Sequence, residues 1–323
     1  MIPMSTPSLQ RLEQAAGLVH AVMPPTPQIC WPLLCERAGC EVWVKHENHT
    51  PIGSFKVRGG IRYLAALKAA EPGVKGVLAA TRGNHGQSVA FAARRAGLAA
   101  VVVAPHGNSV EKNAAMRALG AEIVEHGHDF QAAYEHARTL AAARGLHLLA
   151  SYHPWLVEGV ASYGLELLRA VPGLDTVYVP IGLGSGISGT IAARDALGLG
   201  TRIVGVVAET APAYALSFEA RRPVATETAE TLADGVACRV PDEAALETIW
   251  RGAERVVRVS EAEIMAAMRH YFTDTHNLAE GAGAAPLAAL LQERRAMAGK
   301  KVACVLSGGN IDRPLYARVI SPA

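Results

Sequence analysis

The sequence has few aromatic residues, almost no excess of charge of either sign and no long apolar run. Aromatic residues make up 5% of the 323, and 31 lysines and arginines against 29 aspartates and glutamates leave a net charge of +2. Because no basic run occurs, we expect no nucleic-acid partner. Charged residues or glycines interrupt every apolar segment before the roughly 18 to 20 residues of a spanning helix, so we also expect no membrane partner.

Cysteine is scarce too, and its pattern argues against disulfides and against zinc. An odd number of cysteines without a C-x-x-C pair suits a reducing compartment. The first 14 residues lack the basic stretch and apolar run of a signal peptide, so a cytoplasmic location is expected. The wide, equal spacing of the first three cysteines matches no common zinc pattern, and buried or half-buried thiols are the favoured interpretation. The five are Cys30, Cys35, Cys40, Cys238 and Cys304.

Short β-branched runs alternate with longer Ala- and Leu-rich amphipathic segments along almost the whole chain. Strands are predicted at 42–45, 77–81, 99–104, 122–124, 176–180, 202–208, 255–259 and 301–306. Helices are predicted near 58–70, 85–97, 109–119, 128–144, 157–170, 186–198, 260–272 and 280–296. Such alternation predicts an α/β fold of doubly wound parallel sheets with helices on both faces.

Four glycine-bearing loops follow predicted strands, around 53–60, 83–86, 182–189 and 307–309. Ligands of open α/β sheets bind beyond the carboxyl ends of the strands, so these loops are expected to converge on one cleft.

The loop Val179-Pro-Ile-Gly-Leu-Gly-Ser-Gly-Ile-Ser-Gly-Thr190 joins a predicted strand to a predicted helix. Free backbone N–H groups and the positive end of the helix then face one point, which favours an anion such as phosphate. Gly184 to Gly189 also has the spacing of a dinucleotide-binding loop, and Glu209 follows at a suitable distance. This loop alone leaves a phosphate-ester cofactor and a dinucleotide equally open.

The segment His49-Thr-Pro-Ile-Gly-Ser-Phe-Lys-Val-Arg-Gly-Gly60 places Lys56 between two apolar residues at a helix start. Both surroundings disfavour its charge, and a lysine with a lowered pKa is what a Schiff-base nucleophile requires. Taken alone, the segment would favour an exposed lysine in a first helical turn.

Five motifs taken together resolve the choice. The lysine segment, Thr81-Arg-Gly-Asn-His-Gly-Gln-Ser88, Gly182 to Gly189, Asn277-Leu-Ala-Glu-Gly-Ala-Gly283 and Ser307-Gly-Gly-Asn310 closely resemble those of the fold-type II pyridoxal-phosphate enzymes. The nearest members are the threonine and serine dehydratases and serine racemase. The resemblance implies a fold like that of the tryptophan synthase β-subunit, with a large cofactor-binding domain (1–75 and 154–323) and a small substrate-cradle domain (76–153).

The resemblance also implies a role for each matching residue, with pyridoxal 5'-phosphate as cofactor. Lys56 would hold it as a Schiff base and Ser307 would lie at its pyridine nitrogen, where a neutral hydroxyl favours elimination over transamination. The other implied cofactor contacts are Phe55, Asn84, Gly182, Leu183, Gly184, Ser185, Gly186 and Glu280. The implied substrate-binding residues are Thr81, Arg82, Asn84 and His85. For His85, capping or packing at a helix start is an equal alternative. For Glu280, an equal alternative is a first-turn glutamate that is favoured by the helix dipole.

Two positions depart from the family pattern. Racemase-like members carry a serine base where this chain has Arg82, and a guanidinium cannot act as a base, so racemisation is disfavoured. Arg82 either binds a substrate carboxylate or turns to solvent. The family's cation site retains Glu209 but has Ala215 in place of an aspartate, so we expect no metal, with Glu209 as a possible remnant.

The resemblance therefore implies an ammonia-lyase that converts a 3-hydroxy amino acid, L-threonine or L-serine first, to a 2-oxo acid and ammonia. Because the chain ends shortly after Asn310, a short, catabolic type of threonine dehydratase is expected. The alternatives are a 3-hydroxyaspartate or phenylserine dehydratase, a serine racemase, a β-replacement enzyme and a non-catalytic binding protein. The expected partners are a small amino-acid substrate and a second copy of the chain, in a homodimer or a higher homo-oligomer.

Overall fold

Two β-sheets flanked by helices make up the computed structural model, which describes residues 7–321. Residues 1–6 and 322–323, at the two ends of the predicted large domain, lie outside the described residues. The predicted α/β fold of parallel sheets is confirmed, since every strand pair but one in the described part of the chain is parallel.

The strands of residues 7–321 form one sheet of six and one of four. They are β1 (Gln28–Cys30), β2 (Glu41–His46), β3 (Gly76–Ala80), β4 (Ala99–Ala104), β5 (Glu122–Glu125), β6 (His147–Leu148), β7 (Thr176–Pro180), β8 (Arg202–Ala208), β9 (Arg255–Val259) and β10 (Lys301–Leu306). The larger sheet has the order β1-β2-β10-β7-β8-β9, with β1 antiparallel at its edge, and the smaller has the order β5-β4-β3-β6.

The helices cover both faces of the sheets. They are α1 (Leu9–His20), α2 (Pro32–Ala38), α3 (Lys56–Ala70), α4 (Asn84–Ala96), α5 (Val110–Ala118), α6 (Phe130–Arg144), α7 (Pro154–Ala170), α8 (Ser185–Ala196), α9 (Ala213–Ala220), α10 (Glu243–Gly252), α11 (Glu261–Thr275), α12 (Gly281–Gln292), α13 (Arg294–Met297) and α14 (Arg313–Ile320). A short 3-10 helix spans Asp234–Val236.

All eight predicted strands and eight predicted helices are present to within a few residues, with two notable differences. Helix α3 begins at Lys56 itself, and the helix predicted at 280–296 is divided at Glu293 into α12 and α13. Sequence patterns missed several elements, which are mostly short or lie at a sheet edge, where little periodicity develops. They are α1, β1, α2, β6, α9, α10, α14 and the 3-10 helix.

Helix α3 links the two sheets. Its Leu64 and Leu67 share one apolar core with Val77 of β3 and Val89 of α4, although the predicted boundary assigns α3 to the large domain. Lys56, which begins α3, contacts helices from both parts of the fold, since its carbonyl accepts from Ser88 Oγ of α4 at 2.6 Å and its Nζ lies 3.2 Å from Ser185 Oγ of α8.

Candidate active site

Backbone hydrogen bonds hold the lysine loop against the loop that follows β10. The N–H of Phe55 donates to the carbonyl of Ser307 at 3.0 Å, and Ser54 forms an isolated bridge with Gly308. Thr50 Oγ1 also accepts from the N–H of Ser54 at 2.9 Å. Strands β2 and β10 are parallel neighbours, so both loops leave the same edge of the sheet.

Lys56 has a half-buried side chain that faces the start of α8. Its Nζ lies 3.2 Å from Ser185 Oγ and 4.9 Å from the centre of the Phe55 ring. Burial lowers the pKa of the Lys56 ammonium to about 8, and the carboxylate of Glu280 opposes that shift. A neutral amine is therefore accessible near physiological pH, as nucleophilic attack requires.

The loop between β7 and α8 presents backbone N–H groups and no side-chain cap. Within residues 7–321, the N–H groups of Ser185, Gly186 and Ile187 have no hydrogen-bond acceptor. Gly184 adopts a left-handed φ of 94°, and a Cβ on Gly182 would lie 2.2 Å from the carbonyl oxygen of Gly235. Only glycines allow this close turn, and its free donors form a site for an anion.

The start of α4 approaches the same place from the smaller sheet. Thr81, buried, accepts a hydrogen bond on Oγ1 from the N–H of Gly83 at 3.0 Å. Asn84 Nδ2 donates to Glu280 Oε1 at 2.7 Å, and Asn84 Oδ1 accepts from Asn310 Nδ2 at 2.8 Å. The structure thus brings the four glycine-bearing loops together. Backbone hydrogen bonds join the loops around 53–60 and 307–309, and side-chain contacts connect the loops around 83–86 and 182–189 to them.

His85 and Arg82 have opposite environments. His85 is buried, and its Nε2 has no partner in the described part of the chain. Burial, followed by the charge of Lys56, lowers the pKa of His85 to about 3, so the imidazole is neutral at physiological pH. Arg82 is exposed and makes no hydrogen bond or ion pair with residues 7–321.

Glu280, just before α12, lies beneath the loop of Ser307. Its N–H donates to the carbonyl of Gly308 at 3.1 Å, while its Oε2 has no partner within the described ranges. Burial raises the pKa of Glu280 to about 7, against the opposing charge of Lys112. A group that titrates near neutrality in this position can hold or release a proton at Oε2. Ser307 is 3% exposed.

An ion pair that the sequence did not predict lies beside the site. Lys112 on α5 and Asp234 of the 3-10 helix approach to 2.5 Å. The Lys112 side chain fills the space next to Gly83, where a Cβ would meet its Cδ at 2.5 Å. Burial disfavours the ammonium, but the carboxylates of Asp234 and Glu280 raise the pKa of Lys112. In the sequence, Lys112 resembles an ordinary lysine of a helix, and no motif connects it with Asp234.

The two positions that match the family's cation site have different environments. Glu209 is exposed and Ala215 is fully buried. Among residues 7–321, no group of three His, Cys, Asp or Glu side chains is arranged to hold a metal ion. The helices of that same range include none long and apolar enough to cross a membrane.

A lysine with a lowered pKa beside an anion-binding helix start, at the carboxyl ends of parallel strands, defines an α/β enzyme site for a phosphorylated cofactor. Comparison with known proteins identifies that cofactor. Residues 21–308 match the family model described as pyridoxal-phosphate dependent enzyme, and the chain belongs to this family. The resemblance found in the sequence is confirmed, and the dinucleotide alternative was wrong.

Individual relatives cover nearly the whole chain. An L-threonine ammonia-lyase of Thermotoga maritima is 34% identical over 97% of this chain and 78% of its own. An L-threo-3-hydroxyaspartate ammonia-lyase of Saccharomyces cerevisiae is 30% identical over 98% of each chain. The crystal structure of a T.th. threonine deaminase superposes with a TM-score of 0.88 at 35% identity, over 95% of this chain and 99% of that one.

Proposed function

We propose that the protein is a pyridoxal-phosphate-dependent ammonia-lyase of 3-hydroxy amino acids, with L-threonine or L-serine as substrate. The reaction eliminates the β-hydroxyl as water, and water then releases ammonia to leave a 2-oxo acid. The main observation behind the proposal is that Lys56 Nζ lies 3.2 Å from Ser185 Oγ. This distance places a reactive amine next to the anion site at the start of α8. The names of the similar ammonia-lyases support the same reaction.

The residues present fit the cofactor. The unpartnered N–H groups at the start of α8 suit its phosphate, and Ser307 suits its ring nitrogen. Phe55 would pack beside the ring, and Asn84 and Glu280 would contact its polar edge. The phosphate contacts are proposed for Gly182, Leu183, Gly184, Ser185 and Gly186. When bound, pyridoxal phosphate supplies an electron-accepting ring that stabilises negative charge on the substrate Cα.

Lys56 Nζ accepts the proton from the substrate Cα in this proposal, because burial lowers its pKa and leaves the neutral amine accessible. The buried Ser307 hydroxyl would donate a hydrogen bond to the ring nitrogen without carrying charge, which would limit electron withdrawal and favour elimination. Thr81, Asn84 and His85 form the cradle for the substrate carboxylate at the start of α4, and the burial of His85 keeps that imidazole neutral.

We further propose that residues 76–153 move as a small domain. All four strands of the smaller sheet fall within 76–148, and side chains alone join the start of α4 to Glu280 and Asn310. Closure would bring the cradle over Lys56 and exclude water. Structures with and without a substrate analogue test this, and an unchanged relation of the two sheets would count against it.

A cytoplasmic location and a homodimeric or higher assembly are part of the proposal. Free thiols at all five cysteines agree with a reducing compartment. Light scattering on the purified protein measures the assembly, and a monomeric mass would contradict it.

A second substrate class has its own support. Arg82 places an exposed cation at the cradle, where it can pair with a second carboxylate on a 3-hydroxyaspartate. The similarity to a 3-hydroxyaspartate ammonia-lyase points the same way.

A substrate panel separates these alternatives. Release of 2-oxo acid is followed from L-threonine, L-serine, both diastereomers of 3-hydroxyaspartate and phenylserine, with D-serine formation measured alongside. The proposal expects the highest kcat/KM with L-threonine or L-serine. Higher kcat/KM with a hydroxyaspartate would move the substrate to the second class, and D-serine formation without 2-oxo acid would contradict a lyase.

A further inference from the structure

Cys30 and Cys35 lie together at the edge of the larger sheet, away from the proposed active site. Cys30 ends β1, Cys35 lies in α2, and their Sγ atoms are 3.5 Å apart. Both side chains are half-buried, whereas the other three cysteines are buried. A pair of neighbouring thiols with access to solvent differs chemically from an isolated structural cysteine.

The local backbone allows the two sulfur atoms to approach further. A disulfide requires an Sγ–Sγ separation of about 2.05 Å, so the pair must close by roughly 1.5 Å. Strand β1 has three residues and hydrogen-bonds to one neighbour only, β2. Trp31, between β1 and α2, makes no side-chain cap with the helix. A small shift of β1 therefore breaks little of the structure.

We propose that Cys30 and Cys35 form a reversible intramolecular disulfide when the protein meets a hydroperoxide such as hydrogen peroxide. Both S–H bonds break and one S–S bond forms. The two sulfur atoms lose two electrons, and the two electrons and two protons reduce one hydrogen peroxide to two waters. Excess dithiol reverses the reaction by exchange.

The surroundings of the pair assign an order to the two steps. Cys35 Sγ accepts a hydrogen bond from the N–H of Val42 at 3.2 Å and lies 3.8 Å from the Val42 carbonyl oxygen. Burial and the neighbouring Cys35 raise the pKa of Cys30 to about 12, so Cys30 stays protonated. Cys35 attacks the peroxide and becomes a sulfenic acid, and Cys30 then displaces water from it.

The fluorescence of Trp31, which lies next to the cysteine pair, can report on disulfide formation. The Trp31 indole N–H, one residue from Cys30, donates to His46 Nε2 at 2.9 Å. Closing the Sγ–Sγ gap moves the backbone on both sides of Trp31 and changes this contact. Oxidation should therefore alter tryptophan emission, and dithiothreitol should restore it.

The test uses the cofactor-loaded protein, a small excess of hydrogen peroxide and a count of thiols under denaturing conditions. The count should fall from five to three. Trypsin releases residues 12–37 as one peptide that contains Cys30 and Cys35 and no other cysteine. That peptide should lose two hydrogens in mass and should no longer react with iodoacetamide. After dithiothreitol, both changes should disappear.

Matched variants decide the result. Cys40→Ser should still lose two thiols and end with two, whereas Cys35→Ser should keep all four. If Cys35→Ser is not folded by circular dichroism, Cys30→Ser makes the same test. Five surviving thiols in the unmodified protein, or the same loss in the Cys35→Ser or Cys30→Ser variant, would overturn the proposal. Oxygen addition to a single cysteine without loss of two hydrogens would also overturn it.

Discussion

The starts of α8 and α4 have similar local chemistry but different supports. Each follows a strand through a glycine loop, and neither carries a side-chain cap. Beside Gly182, at the α8 end, the space is filled by a backbone carbonyl, that of Gly235. Beside Gly83, at the α4 end, it is filled by the flexible side chain of Lys112. The first end is fixed by the main chain, and the second can adjust.

The contacts across the cleft show the same contrast. Lys56 and Ser185, which face each other at the α8 end, both leave elements at the larger sheet. Within residues 7–321, the Asn84 side chain at the α4 end hydrogen-bonds to two side chains that come from the larger-sheet part, those of Glu280 and Asn310. A preformed end suits a cofactor that stays bound, and an adjustable end suits a substrate that enters and leaves.

The largest expected effect is at Lys56, which lies between the two ends. Lys56→Ala should lower kcat by at least about a thousandfold, because it removes both the proposed covalent partner of the cofactor and the proposed base. Release of 2-oxo acid from L-threonine measures the loss. Lys68→Ala, at the far end of α3, serves as the control. Substantial activity in Lys56→Ala would remove Lys56 from the mechanism.

The contrast between the two glycines predicts unequal effects of the same substitution. Gly182→Ala should weaken pyridoxal phosphate binding by about ten- to a hundredfold, because its Cβ meets a backbone carbonyl that cannot move freely. Gly83→Ala should change that affinity by no more than about twofold, because the Lys112 side chain can give way. Equilibrium dialysis against the cofactor measures both, with Gly200→Ala as a control in open space. Equal losses of cofactor affinity in Gly182→Ala and Gly83→Ala would contradict the proposed difference between the two helix starts.

A substitution at Arg82 tests the proposed substrate-binding role of the start of α4. Arg82→Ser should raise KM more than it lowers kcat, and the loss in kcat/KM should be about ten- to a hundredfold, since a charged hydrogen bond is worth roughly 1.5 to 3 kcal/mol. Cofactor affinity should stay the same. The control is Arg94→Ser, at the exposed far end of α4. Unchanged kinetics in Arg82→Ser would show that Arg82 takes no part in substrate binding.

The last expected effect is on stability, at Glu280. Its pKa in the folded protein, about 7, lies above the ordinary value of 4.5, so the folded state holds a proton that the unfolded state has lost. The free energy of unfolding should therefore fall as pH rises from about 4.5 to 7, by on the order of 1 to 3 kcal/mol relative to Glu280→Gln. Denaturant titrations of the cofactor-free protein measure it.

The control for that experiment is Glu243→Gln, an exposed glutamate in the first turn of α10. Parallel pH profiles for the unmodified protein and Glu280→Gln would show that Glu280 has the same pKa in the folded and unfolded states.

The sequence predicted the parts of the site that depend on local backbone. Glycines after strands mark the α8 loop, and the position of Lys56 at a helix start follows from its own segment. The ion pair of Lys112 and Asp234 was not predictable, because 122 positions separate its members and neither stands in a distinctive motif. Edge strand β1 was missed for a related reason, since three residues show no periodicity.

The most direct test of the account is chemical trapping of the lysine. Borohydride reduction of the cofactor-loaded protein, followed by peptide mapping, should place one reduced cofactor on Lys56, the only lysine that faces the start of α8 among the residues described. An adduct on Lys45, Lys112 or any other lysine, with Lys56 unmodified, would contradict the central claim.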